Sequence, residues 1–284
     1  MTRIPVAAAC SVLLLAVAAP VVAQQKGKKH VSTPPSGTLL PAPAVTGATT
    51  TGAVPFAWID DASLLAPGRM SVSMSTLFWQ GTDVNEVDAP IVGVALGVAD
   101  RVQIAASIPR VAGRGDAGGV VGGLGTTFVS AKVGVLTDAE SGVKLAVAPT
   151  LEILGESALQ ALGTGVGRTQ FGLPVSAEIV SNGTRVFGSA GYFSSGVWFA
   201  GGGIGGQLTP RVALSAAFSS AWLHGAAGTA ARDRKELSGG VAFAATPRIS
   251  LFGSLGTTIG TTDDNGAGNT LSGGILFRLP SADK

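Results

Sequence analysis

The sequence holds a single cysteine, Cys10, among 284 residues. Beyond the first two dozen residues there is no thiol, which excludes disulfide staples and thiolate metal or redox chemistry from the rest of the chain. Charge is also scarce: Asp, Glu, Lys and Arg make up 13% of the residues, about half the quarter that is usual for soluble domains. There are two histidines, His30 and His224, so imidazole catalysis and histidine metal sites have little to work with. After residue 23 no apolar run reaches the length of a spanning helix, which excludes a helical membrane protein. A basic face for nucleic acid is missing too. Of the 19 basic residues, Arg3 stands at the extreme N-terminus and Lys26, Lys28 and Lys29 form a short cluster, which leaves 15 against 17 acidic ones. Nucleic acid is therefore not an expected partner.

The N-terminus has the grammar of an export signal. Arg3 supplies a positive start, Val6 to Ala19 an apolar stretch, and Val21-Val22-Ala23 a small-residue cleavage site. Residues 1–23 are predicted to be a secretory signal peptide cut near Ala23. Pro5 and Pro20 bracket a run too short for an anchor. Residues 24–67 are predicted to be a Pro/Thr/Ala-rich periplasmic linker, basic at first and disordered, which hangs free in preference to the alternative of entering the lumen as a plug. Near its end, Phe56 and Trp58 are expected to anchor at an interface, and Asp60-Asp61-Ala62-Ser63-Leu64-Leu65 to form one helical turn capped by aspartate.

What the chain has in abundance is glycine (42 residues) and alternation of period two. Twelve segments of about ten residues, the length a tilted strand needs to cross a bilayer, fall near 69–79, 89–99, 101–111, 124–136, 143–154, 169–181, 184–194, 196–208, 211–223, 235–245, 248–260 and 269–279. In the sixth, Phe171, Leu173, Val175, Ala177 and Ile179 alternate with Gln170, Gly172, Ser176 and Glu178. The ninth sets Val212, Leu214, Ala216, Phe218 and Trp222 against Ala213, Ser215, Ala217 and Ser219. One apolar and one small or polar face is what lipid outside and water inside require. Tight links at Ala99-Asp100, 137–142, Asn182-Gly183, Thr209-Pro210 and Thr246-Pro247 alternate with longer ones near 80–88, 112–123, 155–168, 224–234 and 261–268, with Ser194-Ser195 as the one short exception. The fold class is accordingly all-β: a transmembrane antiparallel up-and-down β-barrel of about twelve strands over residues 68–284. The short turns are expected in the periplasm and the long links outside the cell. Trp79, Tyr192, Trp198 and Trp222 map to strand ends near the long links and are expected in an interfacial girdle.

The tight turns lead into a basic and then an apolar residue: Arg101-Val102, Lys144-Leu145, Arg185-Val186, Arg211-Val212 and Arg248-Ile249. Leu208-Thr209-Pro210-Arg211-Val212-Ala213-Leu214 and Ala245-Thr246-Pro247-Arg248-Ile249-Ser250-Leu251 read as copies of one hairpin module. In these modules the chain resembles the transporter-like Gram-negative outer-membrane β-barrel proteins, a broad and poorly characterised group. The resemblance covers roughly residues 69–279 and is one of architecture. It implies outer-membrane lipid and the barrel-assembly machinery as partners and carries no site residues across. One departure is the C-terminus: Pro280 to Lys284 trail the last strand in place of a terminal aromatic residue, leaving Phe277 and Leu279 to serve from inside it.

Chemistry is sparse. His224, Asp233, Asp263 and Asp264 can meet at the loop rim, but nothing orients a base among them, so an enzyme is not expected. The glycine-rich stretches 113–125 and 201–206 lack the Lys-Ser/Thr of a phosphate loop. Asp263-Asp264-Asn265-Gly266 lacks the distal glutamate of a hand-type calcium loop. No catalytic, cofactor or metal residues are assigned. The residues expected to line the lumen are Lys132, Lys144, Glu152, Gln170, Glu178, Arg185, Glu236 and Arg278. The function expected is a narrow outer-membrane pore or transporter for small solutes. The alternative is a structural or binding barrel that engages the cell wall or a partner through its tail or outer loops.

Overall fold

The computed structural model describes residues 60–81, 85–115, 123–138, 141–156, 159, 167–181, 183–223, 232–262 and 267–279. All lie in the second of two compact units, Leu39–Lys284. The export signal, most of the linker, Phe56, Trp58 and the C-terminal Pro280–Lys284 fall outside the described residues.

Fifteen strand segments form one sheet: β1 (Met70–Gly81), β2 (Asn85–Ala99), β3 (Val102–Gly115), β4 (Gly123–Leu124), β5 (Thr127–Thr137), β6 (Val143–Val147), β7 (Thr150–Ile153), β8 (Thr169–Gly172), β9 (Val175–Ser181), β10 (Thr184–Phe193), β11 (Val197–Thr209), β12 (Val212–Leu223), β13 (Arg232–Ala244), β14 (Ile249–Thr261) and β15 (Gly268–Leu279). Three pairs are single strands interrupted once, at Gly125-Thr126, Ala148-Pro149 and Leu173-Pro174, so the wall has twelve strands. Each pairs antiparallel with its neighbours in sequence, and β1 pairs with β15 from Met70 opposite Leu279 to Gly81 opposite Gly268. The barrel is closed. Closure matters because an open edge would leave a row of amides and carbonyls unpaired, which lipid cannot satisfy.

Two of the interruptions have a local cause. Pro149 and Pro174 have no N–H to donate to a ladder. Their carbonyls still accept, from Ala131 N–H (3.0 Å) and Ala148 N–H (2.8 Å) respectively. The alternation of faces runs through the gaps undisturbed. Leu173 and Phe171 are 53% and 66% exposed on the outside, while Gln170, Ser176 and Glu178 are buried on the inside. On β15 the outward face is Leu271, Ile275, Phe277 and Leu279, with Thr270 buried behind it. Large apolar side chains thus cover the outside of nearly every strand.

The repeated hairpin module makes the same threonine hydrogen bonds in both copies. Thr209 Oγ1 accepts from the N–H groups of Arg211 (3.2 Å) and Val212 (3.0 Å), and Thr246 Oγ1 accepts from those of Arg248 (3.2 Å) and Ile249 (3.0 Å). This is the hydroxyl-to-backbone turn that Thr before Pro favours. At the other end, Gly196 takes φ 95° and lets Ser194–Gly196 join β10 to β11 in three residues.

Three expectations need correction. Strands β2, β3 and β13 run further toward the long-link end than 89–99, 101–111 and 235–245. Their extra residues include Glu86 and Asp88, whose charge reads as loop, but both are buried on the inner face, where polar groups belong. Trp79 is not in a girdle: it falls on the inner parity of β1 beside Leu77 and is 1% exposed, while Phe78 faces out. Tyr192 and Trp198 do lie outside together, with ring centroids 4.8 Å apart, and Trp222 pairs with Trp198 across β11 and β12. Finally, Asp60–Leu65 forms no helical turn. The only cap-like contact is Ser63 N–H to Asp61 Oδ1, 3.0 Å.

The glycines explain how inward aromatics fit. A Cβ on Gly203 would lie 2.8 Å from Phe187 Cζ, and one on Gly191 2.9 Å from the Phe199 ring; Gly172 stands under Phe193 in the same way. The rings lie flat along bare backbone of the neighbouring strand. Gly203→Val is expected to expel the Phe187 ring and destabilise the barrel by about 1–3 kcal/mol, measured by urea unfolding in detergent, with Gly206→Val, which meets open space, close to neutral. On the lipid face, Phe218→Arg, at the middle of β12, is expected to cost about 2–4 kcal/mol, whereas Ser215→Arg, three residues earlier and facing in, should be tolerated. Equal losses would contradict the register.

Candidate functional site: the inner face of the barrel

Of the eight residues expected inside, Lys132, Glu152, Gln170, Glu178, Arg185 and Glu236 are buried, Lys144 keeps 31% of its side chain exposed, and Arg278 is half-buried, donating from Nη1 to Ser250 Oγ (3.0 Å). They do not form one cluster. Gln170 sits toward the long-link end, donating to Gly167 O (2.6 Å) and accepting from Ser194 Oγ (2.6 Å), with Glu152 opposite it across β7 and β8. Glu236 lies on another part of the wall, 3.9 Å from Arg234 Nη2. Arg234 in turn lies 5.5 Å over the Trp79 ring. That contact draws a tryptophan and an arginine, neither singled out in the sequence as lumen residues, into one inner patch with Glu236.

Lys132, Lys144, Glu178 and Arg185 do come together, near the tight-turn end. The register is the reason: Lys144 stands directly opposite Glu178 on β6 and β9, and Lys132 opposite Gln103 on β5 and β3. Opposite charges facing across a ladder stabilise each other. Lys144 Nζ lies 3.6 Å from Glu178 Oε2, and Arg185 Nη1 3.8 Å from Glu178 Oε1.

The cluster is occupied by the chain itself. Residues 60–66, expected to belong to a free linker, run inside the barrel. Asp60 Oδ2 lies 2.6 Å from Lys132 Nζ and Asp61 Oδ2 3.0 Å from Arg185 Nη1. Lys132 Nζ also donates to Asp61 O (3.0 Å). Ser63 Oγ donates to Glu178 Oε2 (2.5 Å) and accepts from Lys144 Nζ (2.9 Å). Backbone N–H groups complete the docking, Leu65 to Gln103 Oε1 (2.8 Å) and Asp60 to Ser189 Oγ (3.1 Å). At the mouth, Gly68 N–H donates to Gly97 O (2.8 Å) and Gly97 N–H to Arg69 O (3.0 Å). Any Cβ on Gly97 would strike the carbonyls of Leu65 and Ala66.

The sequence argues for a free tail because tail lysines would have to find scarce inward carboxylates. The polarity is the reverse: tail aspartates meet inward cations. Asp60, Asp61, Ser63 and Gln103 are thus inner-face residues that sequence reasoning missed. The one local signal is the acidic pair Asp60-Asp61 ahead of β1, and it does not name its partners. Of the rim group weighed for catalysis, His224, Asp263 and Asp264 lie outside the described residues; Asp233 lies 4.0 Å from Lys235 Nζ and accepts at its backbone carbonyl from Thr262 N–H. Among the described residues no three His, Cys, Asp or Glu side chains gather as a metal site.

Neither family models nor curated proteins match this sequence. Solved structures do match. An outer-membrane channel of Pseudomonas putida F1 superposes with a TM-score of 0.59 at 15% identity, over 77% of this chain and 98% of that one. The fold is that of an outer-membrane channel barrel. The NanC porin (TM-score 0.53, 11% identity, 73% of this chain and all of that one) and the KdgM porin (TM-score 0.50, 8% identity, 74% and 99%) share it.

Buried ion pairs are costly to break on one side only. Arg185→Met leaves Glu178 and Asp61 facing each other without their shared cation, and is expected to destabilise the folded barrel by about 3–5 kcal/mol. The shift of the unfolded band on heated gels would measure it. Arg168→Met, whose pair with Glu156 (2.8 Å) is exposed, should change it by less than about 1 kcal/mol.

Proposed function

We propose that this protein is a narrow pore for small solutes in the outer membrane, with the tight-turn end toward the periplasm. The observation that carries the reading is a closed wall that is apolar outside and charged inside. An apolar belt of this kind is stable only in lipid. A soluble protein would bury it. Eight-strand barrels are filled by their side chains and sixteen-strand barrels leave an aqueous channel; twelve strands with flat-lying inner aromatics stand between the two. That the matched barrels are described as a channel and porins supports conduction over an enzymatic role. Residues 1–23 would direct export, and the barrel-assembly machinery would insert the strands. The solute path is narrowed at the periplasmic end by Asp60–Ala66.

Purified, heat-modifiable protein in planar bilayers is expected to give discrete single-channel openings. A variant lacking residues 24–66 should give larger ones, because the segment that fills the turn end is gone. Silence from both folded forms would overturn the pore and favour a barrel that binds a partner or the cell wall. For sidedness, Ser195→Cys in the short β10–β11 connection should react with an impermeant thiol reagent on intact cells, and Pro210→Cys should react only after the outer membrane is opened. The reverse pattern would invert the orientation.

A further inference from the structure

We propose that Lys132, Lys144 and Arg185 form an anion-binding site within the pore, and that Asp60 and Asp61 occupy it as a built-in competitor which small carboxylate solutes displace. The inference rests on the pore reading and adds a solute class to it.

On the wall these three cations face one carboxylate, Glu178, and the neutral Gln103. With Asp60 and Asp61 in place the cluster is neutral. Without them it carries two uncompensated positive charges, on side chains that include the buried Lys132 and Arg185. Cations held there without counter-charge are unfavourable, so the vacated site has to recruit an anion. The groups the segment uses are ones a free solute can imitate. Each aspartate offers a carboxylate oxygen to a cation at 2.6–3.0 Å, and the other contacts are single hydrogen bonds, donated by the Asp60 and Leu65 amides and Ser63 or accepted from Lys132 and Lys144 by Asp61 O and Ser63 Oγ. Residues 60–66 have no regular secondary structure, and Ala62 is their only fully buried apolar side chain, with Leu64 and Leu65 half-buried. Elements with few apolar contacts open at low cost. Lys144, partly exposed while the segment is docked, gives an incoming anion a first contact. Carboxylates are favoured over cations or neutral solutes because charge-assisted bonds to Lys and Arg are the main attraction the site offers.

The test uses the full chain with Cys10→Ser and Ala66→Cys, the latter carrying a nitroxide at an exposed position of the segment. Succinate is expected to raise label mobility at about a tenth of the concentration at which putrescine does so at matched ionic strength. Asp60→Asn/Asp61→Asn should be mobile from the outset, and Lys144→Gln should need several-fold more succinate. In bilayers under a potassium chloride gradient, Asp60→Asn/Asp61→Asn should move the reversal potential toward chloride. Equal effects of succinate and putrescine, or a reversal potential that stays or moves toward potassium, would overturn the anion site. If no variant conducts, the pore reading fails, and the label titration still decides whether the cluster binds carboxylates.

Discussion

Closure of the backbone ladder is the constraint on which everything else here depends. A strand in lipid cannot leave an amide or carbonyl unpaired, so β1 has to meet β15, and the registers of the strands in between have to add up to that meeting. Register in turn fixes parity, because a slip of one residue exchanges the lipid face for the inner face along the whole strand. The inner charges are therefore not placed one at a time. Lys144 opposite Glu178, and Lys132 opposite Gln103, follow from the same pairing that sends Leu173 and Leu214 outward.

Alternation makes the wall legible in the sequence, and the turn residues make its order legible. All twelve strands appear in the expected order, β2, β3 and β13 running past their expected ends, and the Thr-Pro-Arg modules fold alike because their hydrogen bonds are local. The errors arise where period two is set aside. Distance from a strand end points Trp79 to a girdle; its parity points it inward. Charge points Glu86 and Asp88 to a loop, although charge is admissible on one face of every strand. The docked segment is illegible for a different reason. Its partners lie from 38 to 129 residues away in the chain, and no local pattern announces such contacts. Composition marks a stretch as unable to fold alone; it does not say whether a preformed surface will hold it.

The inner face is divided in its chemistry. Lys132, Lys144 and Arg185 gather with Glu178 toward the turn end, while Phe128, Phe193 and Phe199 stack edge-on or tilted along β5, β10 and β11. Phe187 joins the two regions, lying under the Arg185 guanidinium at 5.0 Å. The glycines beneath these rings keep the wall thin where its side chains are largest, so bulk is spread over the circumference and not projected across the lumen.

The paired proline gaps have a mechanical consequence. Val147 faces Val175 and Thr150 faces Gly172, so the interruptions at Pro149 and Pro174 sit side by side at one height on adjacent strands. Two neighbouring staves each lack an amide donor there, and the bonds that remain at the two prolines are Ala131 N–H to Pro149 O and Ala148 N–H to Pro174 O. A sheet bends first where its transverse bonds are fewest. The barrel thus has a built-in crease between the lysine–glutamate pair of Lys144 and Glu178 on one side and Glu152 with Gln170 on the other. Bending the wall along that line breaks fewer hydrogen bonds than bending it across an unbroken ladder.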